Sequence, residues 1–380
     1  MAVNSKSSKK KAGIILSGAD MKRRYPQSGL ASDICLTPDN ALWLPSRILP
    51  LNYNSGGGVP YGKILELYGE ESTGKTLQAI DYGVVAQSLG GIVLWDDAEA
   101  TFDGLWAQSH GLDLKKVVLL KEENVIEIVS DWIADNIVTW RAKLTKKEPI
   151  PLVVDSLAAL ETWANMEAAD SDSGEDMGKR SKMIYQMMRK RMKIIAKYGV
   201  CVICINQIRK KVGATKWEDP DTTPGGQAMR FYAGQRIGLY KGSKIKNADK
   251  KTVGNIVYVR TKKNKVAPPR ENIQARVFFT EHEGRYGYDK YFGLLDILLT
   301  QKIIKRKSGR FYYKGEQLAH GEDKFLTLLE TNAELRSKLI KKAGINTPSA
   351  TRKKLEEIKV NLYPVNLKKA KIQKEDEEEE

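Results

Sequence analysis

A short glycine-containing segment constrains the fold of this chain more than any other stretch. It has the sequence Gly69-Glu70-Glu71-Ser72-Thr73-Gly74-Lys75-Thr76. The apolar residues 64–68 before it predict a buried strand, and residues 77–80 after it predict the start of a helix. Glycines let backbone N–H groups point inward at an anion, and the helix adds its positive N-terminal end. The segment therefore predicts a phosphate-binding loop. The alternative is an ordinary glycine-rich turn between a strand and a helix.

The last residues of this loop predict how a nucleotide would be held. Lys75 is expected to reach the β- and γ-phosphates, and the Thr76 hydroxyl is expected to bind Mg²⁺. The expected cofactors are therefore ATP and Mg²⁺. The nucleotide contacts predicted in this segment are Gly69, Glu70, Glu71, Ser72, Thr73, Gly74, Lys75, Thr76 and Leu77.

Apolar runs that alternate with helical patterns predict the fold class. Buried strands are predicted at residues 91–96, 117–120, 151–156 and 200–205, and helices at 125–144 and 177–198. This alternation is typical of an α/β protein in which a mostly parallel, twisted sheet carries helices on both faces. Together with the loop, it predicts a phosphate-loop ATPase core.

Changes in composition divide the chain into four predicted parts. They are a basic N-terminal segment at 1–36, the ATPase core at 37–285, a small α+β C-terminal domain at 286–347 and a tail at 348–380. Within the C-terminal domain, helices are predicted at 292–304 and 322–343, and a hairpin at 309–315. The tail ends in the acidic run 375–380. Such a run is either a solvated end or an intramolecular competitor for a basic surface, and both interpretations stay open.

The overall charge predicts an anionic partner. The 380 residues include 63 Lys and Arg but only 47 Asp and Glu, which gives a formal net charge of +16. An excess of this size favours nucleic-acid binding, although a basic surface also serves ordinary solubility. Three cysteines imply no disulfide framework, and Cys201 and Cys204 lie in an apolar run, which favours strand cysteines over a metal site. No run has the length of a membrane span, so we expect a cytoplasmic protein with no membrane partner.

Polar side chains after three predicted strands are candidates for the chemistry. Asp155 ends the run 151–154, where a carboxylate can hold the metal directly or through water. Glu99 follows another strand and could orient and activate a water molecule, although an exposed loop acid is an equally good interpretation from spacing alone. Gln207 follows the run 200–205, and its amide could sense a γ-phosphate.

Two irregular segments predict a nucleic-acid interface. Residues 209–226 are long, basic and rich in proline and glycine, with Trp217 as their one aromatic side chain. This composition suits a loop that meets a nucleic-acid backbone and inserts a side chain between bases. Residues 161–176 lead into a basic helix that carries Lys182 and Arg189. The alternatives are a surface loop without a partner and a solvated helix face.

These motifs together resemble the bacterial RecA family of homologous-recombination ATPases, including its phage-encoded relatives. The resemblance extends over about residues 57–341. It rests on the phosphate loop, on Asp97-Ala98-Glu99, on residues 152–157, on Asn206-Gln207-Ile208-Arg209 and on Lys263-Asn264-Lys265.

The resemblance implies a role for each matching residue. Glu99, Lys75 and Gln207 are expected in catalysis, and Thr76 and Asp155 at Mg²⁺. Asp103 and Trp106 are expected beside adenine, while Lys263 and Lys265 are expected to reach the nucleotide of a neighbouring subunit, with Phe231 at the same interface. The expected DNA contacts are Met177, Gly178, Lys182, Arg189, Arg209, Lys216, Trp217, Gly225 and Gly226. Thr280 departs from the family pattern, because it stands near the position of an expected adenine-side tyrosine.

The implied function is ATP-dependent DNA strand exchange. A protein of this kind forms a helical homopolymer on single-stranded DNA, pairs it with double-stranded DNA and hydrolyses ATP to ADP and phosphate when DNA is bound. The N-terminal segment would take part in polymerisation, and the acidic tail resembles a regulatory tail. The alternatives are a DNA motor or helicase with the same core, and a filament-forming accessory protein that binds nucleotide without useful hydrolysis.

Overall fold

The computed structural model describes most of the chain from residue 42 onward. The described residues are Arg23 and residues 42–167, 174–210, 221–225, 227–268, 273–282 and 284–345. The chain divides into two compact units, Met1–Leu42 and Trp43–Glu380, and all described residues except Arg23 and Leu42 belong to the second. The predicted tail at 348–380 lies outside the described residues, as does the N-terminal segment at 1–36 apart from Arg23.

The second unit alternates strands and helices. The strands are β1 Trp43–Leu44, β2 Val59–Pro60, β3 Ile64–Gly69, β4 Val93–Asp97, β5 Val117–Lys121, β6 Pro151–Val154, β7 Cys201–Gln207, β8 Arg209–Lys210, β9 Asp221–Thr222, β10 Gln235–Lys246, β11 Thr252–Asn264, β12 Ile273–His282, β13 Arg285–Tyr288, β14 Lys305–Lys307, β15 Arg310–Tyr313 and β16 Glu316–His320. The helices are α1 Leu49–Ser55, α2 Lys75–Ser88, α3 Gly104–Ser109, α4 Ile126–Lys143, α5 Trp163–Glu167, α6 Gly174–Tyr198, α7 Ala228–Tyr232, α8 Phe292–Thr300, α9 Glu322–Thr331 and α10 Ala333–Lys342. A short 3₁₀ turn covers Leu114–Lys116.

One large sheet organises the core. Its strand order is β13-β12-β11-β10-β3-β7-β6-β4-β5. The strands from β10 to β5 in this order run parallel, whereas β11, β12 and β13 continue the sheet by antiparallel pairing. The prediction of an α/β fold with a mostly parallel sheet is therefore confirmed. The carboxyl ends of β3, β4, β6 and β7 meet at one edge, which is where parallel sheets place their ligand sites.

The central strands are apolar because helices bury them. Every residue of β3, β4 and β6 is buried. Helices α4 and α6 pack against each other and contribute Ile133 and Ile184 to a core cluster with strand residues such as Leu152. Helix α2 contacts β3, β4, β6 and β7 and is buried along most of its length. Within the described ranges, no helix combines the length and the hydropathy that crossing a membrane requires.

The C-terminal part differs in detail from the sequence prediction. The hairpin expected at 309–315 is part of a three-stranded sheet, β14-β15-β16. The helix expected at 292–304 ends at Thr300, and the helix expected at 322–343 is two helices. The break occurs at Asn332, whose side-chain oxygen accepts a 2.9 Å hydrogen bond from the Leu335 N–H and so starts α10. These elements share a cluster around Phe311 and Phe325, and the boundary at residue 286 stays a prediction.

Candidate nucleotide site and nucleic-acid interface

The phosphate loop connects β3 to α2, and two of its positions require glycine for different reasons. Gly69 lies between Leu239 of β10 and Gln207 of β7. A Cβ atom on Gly69 would lie 2.2 Å from the Leu239 carbonyl oxygen, so only glycine fits there. Gly74 has a φ of +84°, which L side chains rarely adopt. The Tyr288 hydroxyl donates a 2.9 Å hydrogen bond to the Thr73 carbonyl and supports the loop from the β13 side.

Lys75 and Thr76 begin α2 and face the loop and the neighbouring strand end. The Lys75 ammonium donates to the carbonyl oxygens of Gly69, at 3.1 Å, and Glu70, at 2.8 Å. Burial lowers the pKa of Lys75, and the nearby carboxylate of Asp155 opposes this effect. The Thr76 hydroxyl donates a 3.0 Å hydrogen bond to Asp155 Oδ2. The loop therefore holds a cation and a hydroxyl at the edge of the sheet.

The pair of Thr76 and Asp155 fits a magnesium ion. A hydroxyl and a carboxylate are hard oxygen donors, and Mg²⁺ is typically bound by few protein ligands together with phosphate oxygens and water. Burial raises the pKa of Asp155 to about 7, although the hydrogen bond from Thr76 works in the opposite direction. A bound cation would favour the ionised carboxylate. In the part of the chain that the structure describes, no group of three or more His, Cys, Asp and Glu side chains forms a metal site.

Glu99 and Gln207 lie at the same edge. The Ser156 hydroxyl donates to Glu99 Oε1, and Gln207 Nε2 donates to the same oxygen at 3.5 Å. The Glu99 N–H donates to the Asp155 carbonyl at 3.2 Å, which ties the ends of β4 and β6 together. The structure thus brings the three polar residues predicted at strand ends to one place. Sequence reasoning missed Ser156, whose role has no local signal beyond its position after Asp155.

A cavity of about 330 Å³ leads from the phosphate loop to an aromatic wall. Lys75 and Thr76 line one end, and Trp106, Phe279 and Tyr286 line the other. Trp106 thus lines the same cavity as the phosphate loop, and its contact with the base stays a prediction. The other two aromatic residues were not predicted. The strands that carry them lie far from α3 in sequence, so no local pattern could reveal the contact.

Two further residues bear on the predicted contact with the base. The Asp103 side chain caps α3 by accepting a 2.9 Å hydrogen bond from the Trp106 N–H, so it positions this helix, and its contact with adenine stays a prediction. Thr280 is exposed and does not line the cavity, whereas the preceding Phe279 does.

The predicted interface residues share one surface of the chain. The Lys263 ammonium donates to the Arg230 carbonyl and, at 3.4 Å, to the Phe231 carbonyl at the end of α7. Burial, with a contribution from Lys265, lowers the pKa of Lys263. Phe231 is 62% exposed, which is unusual for a side chain of this size. Lys265 is exposed, and its backbone N–H donates to the Gly234 carbonyl.

The described part of the predicted DNA interface lies on α6 and on the segment that follows β7. Gly178, Lys182 and Arg189 are exposed on α6, and Met177 belongs to the same helix. Arg209 begins β8 and pairs with Thr222 of β9. Gly225 has a φ of +87°, with Ile184 of α6 beside it. The predicted contacts Lys216, Trp217 and Gly226 lie outside the described residues.

A buried carboxylate ties this interface to the phosphate-loop strand. Glu66 of β3 has no exposed surface, and its two oxygens accept from Asn206 Nδ2, at 3.0 Å, and from Arg236 Nε. Asn206 also donates to the Pro224 carbonyl at 3.0 Å, and Arg236 donates to the Thr223 hydroxyl at 3.3 Å. We call these five residues the Glu66 anchor. They link β3, β7 and β10 to residues 223–224, near the end of the basic segment 209–226.

Comparison with known proteins identifies the family. The protein-family model of the RecA N-terminal domain matches residues 43–283, which include the phosphate loop, the strand-end residues and the Glu66 anchor. The chain belongs to the RecA family. Protein RecA of Thermotoga petrophila is 32% identical over 305 residues, covering 78% of this chain and 80% of the relative. Protein RecA of Chloroherpeton thalassium is 35% identical over 292 residues, covering 77% of each. Protein RecA of Geobacter metallireducens is 33% identical over 310 residues, covering 80% of this chain and 86% of the relative. The match to the RecA family confirms the resemblance drawn from the sequence.

Proposed function

We propose that this chain is an ATP-dependent recombinase. It assembles as a helical filament on single-stranded DNA, pairs that strand with homologous double-stranded DNA and exchanges strands. The observation that supports this best is the convergence of Lys75, Thr76, Asp155, Glu99 and Gln207 at one sheet edge of a RecA-family protein. Its partners are therefore DNA and further copies of itself, and it acts in the cytoplasm.

The ATPase chemistry follows from charges and hydrogen bonds at that edge. The Lys75 ammonium leaves the loop carbonyls and binds the β- and γ-phosphates, where it stabilises developing negative charge. Thr76 and Asp155 would hold Mg²⁺, which would supply further positive charge at the phosphates. Glu99 orients the attacking water and accepts its proton, and the Ser156 hydroxyl fixes the carboxylate.

Gln207 and the anchored residues after it couple nucleotide to DNA. Gln207 ends β7, and Arg209, two residues later, begins the basic segment. A γ-phosphate that draws the Gln207 amide away from Glu99 shifts the start of this segment, while the Glu66 anchor holds its far end. ATP and DNA thus favour each other's binding, which is a coupling free energy between two sites.

Lys263 and Lys265 supply the contact between subunits. In the single chain Lys263 binds the carbonyls at the end of α7. In a filament it exchanges these carbonyls for the phosphates of the neighbouring subunit's nucleotide, and the exposed Phe231 beside it packs against the neighbour. Nucleotide binding and polymerisation then depend on the same surface.

Two assays test the proposal. ATP turnover is measured with and without single-stranded DNA, and strand exchange is measured between a circular single strand and a homologous linear duplex. We expect DNA-stimulated turnover and exchanged product, and we expect Lys75→Ala to abolish both, because it removes the charge from the phosphates. Turnover without exchange would favour a DNA motor, and filaments without turnover would favour the accessory protein.

A further inference from the structure

Three aromatic residues form a cluster at the base end of the nucleotide cavity. We call Trp106, His110 and Tyr286 the aromatic cluster. The His110 ring stacks on the Tyr286 ring with centroids 4.9 Å apart and an angle of 8° between the planes. The Trp106 ring meets the His110 ring edge-on at 4.9 Å, and the indole Nε1–H donates a 3.2 Å hydrogen bond to the Tyr286 hydroxyl. Each ring therefore contacts the other two, and all three line the cavity.

The aromatic cluster joins two elements that are distant in sequence. Trp106 lies in the first turn of α3, and His110, four residues later, is the C-cap residue, so both lie on the same side of the helix. Tyr286 belongs to β13, the strand at one edge of the large sheet. Asp103 fixes the Trp106 backbone at the start of α3, while Tyr286 fixes the indole ring itself. The orientation of the indole is therefore set from both sides.

His110 is suited to stack on a phenol. It is buried, and burial lowers its pKa to about 4, with a smaller contribution from the Arg47 guanidinium. The ring is thus neutral at physiological pH and offers a flat, uncharged surface. Its carbonyl accepts a 3.3 Å hydrogen bond from Arg47 Nη2, which holds the end of α3 in place.

We propose that Tyr286 and His110 are positioning residues that hold the Trp106 indole as the base-contacting wall of the nucleotide cavity. The inference rests on the proposed nucleotide binding and adds the residues on which affinity for a purine base depends. The Tyr286 hydroxyl is the acceptor of the indole N–H, so its loss frees the indole to rotate. The phosphate end of the cavity is held separately by the loop and Tyr288, so it is unaffected by this change.

The test separates base binding from phosphate binding. Tyr286→Phe removes only the hydroxyl, and His110→Leu removes the stacked ring but keeps an apolar side chain. Steady-state turnover gives KM and kcat for ATP, and inorganic tripolyphosphate, which has no base, gives an inhibition constant. Tyr312→Phe removes a hydroxyl from β15, outside the cavity, and serves as the matched control.

We expect both cluster variants to raise KM for ATP about two- to tenfold, the range for one lost neutral hydrogen bond or aromatic pair, with kcat within about twofold. The inhibition constant of tripolyphosphate stays at the wild-type value. An unchanged KM in Tyr286→Phe, or an equal rise in the inhibition constant, would overturn the inference. A wild-type protein that binds tripolyphosphate but not ATP would overturn the proposed function instead.

Discussion

Replacing Glu66 by leucine is expected to destabilise the protein far more than an ordinary change in a strand. In the folded chain the Glu66 carboxylate is fully buried, and the Arg236 side chain that pairs with it is only 14% exposed. Glu66→Leu leaves this guanidinium buried without a carboxylate, and Asn206 loses one of its two acceptors. Removing one partner of a buried ion pair costs about 3–5 kcal/mol, so we expect a loss of that size in the free energy of unfolding.

Urea unfolding in the absence of nucleotide measures this loss. The matched control is Lys121→Ala, which breaks the ion pair of Lys121 with Glu122, whose side chains are 59% and 62% exposed. Exposed ion pairs contribute little to stability, so the control is expected to unfold near the wild-type midpoint. The double variant Glu66→Leu/Arg236→Met removes both charges and is expected to recover much of the lost stability, because no unpaired charge remains.

The reasoning fails if Glu66→Leu costs no more than Lys121→Ala. It also fails if the effects of the changes at Glu66 and Arg236 simply add, since the anchor would then contain no coupled charge pair.

Four further outcomes test other parts of the molecule. Glu99→Gln is expected to keep nucleotide affinity but to slow ATP turnover at least about 100-fold, the range for a lost general base. The filament should then stay longer on DNA, and normal turnover would show that another group positions the water. Changing Lys263 and Lys265 together to Ala should abolish cooperative assembly and DNA-stimulated turnover while the monomer stays folded, and normal turnover on DNA would refute the contact between subunits. Burial, with a smaller contribution from the Arg47 charge, lowers the pKa of Lys290 from 10.5 to about 7. Between these pH values the unfolded chain binds more protons than the folded chain, so the free energy of unfolding rises with pH. Lys290→Met should reduce this pH dependence by up to about 1.4 kcal/mol per pH unit, and an unchanged pH dependence in urea titrations would contradict the assignment. Removing residues 375–380 should tighten DNA binding at low salt and less so at high salt, and equal affinity with and without the tail would leave it a solvated end.

The signals that predict the phosphate end of the site are local in the sequence. Gly69, Lys75 and Thr76 lie within one strand–loop–helix unit, and Asp155 follows its strand directly. The sheet then brings separate strand ends together as a consequence of parallel pairing. The fold class followed from the same periodicity.

The base end and the Glu66 anchor could not be predicted in this way. Trp106 meets Tyr286 across 180 positions of sequence, and Glu66 meets Arg236 across 170. Such contacts depend on strand order and register, which composition and spacing do not determine. A charged residue in an apolar strand, as at Glu66, is the one signal that could have indicated the anchor, because a buried carboxylate requires partners. The break at Asn332 was also missed, since both helices around it continue the same apolar pattern.

The hydrogen bond from Tyr288 to Thr73 shows that residues beyond the family match support the phosphate loop. The match ends at residue 283, yet the tyrosine that supports the phosphate loop lies beyond it, as does Tyr286. A shortened protein that ended at the match would keep every motif of the phosphate loop and still lose the support behind Gly74. Insertions or fusions after residue 283 would separate the loop from the same support. A shortened variant or a domain fusion that is meant to keep the candidate nucleotide site therefore has to include β13, and its boundary has to lie after Tyr288.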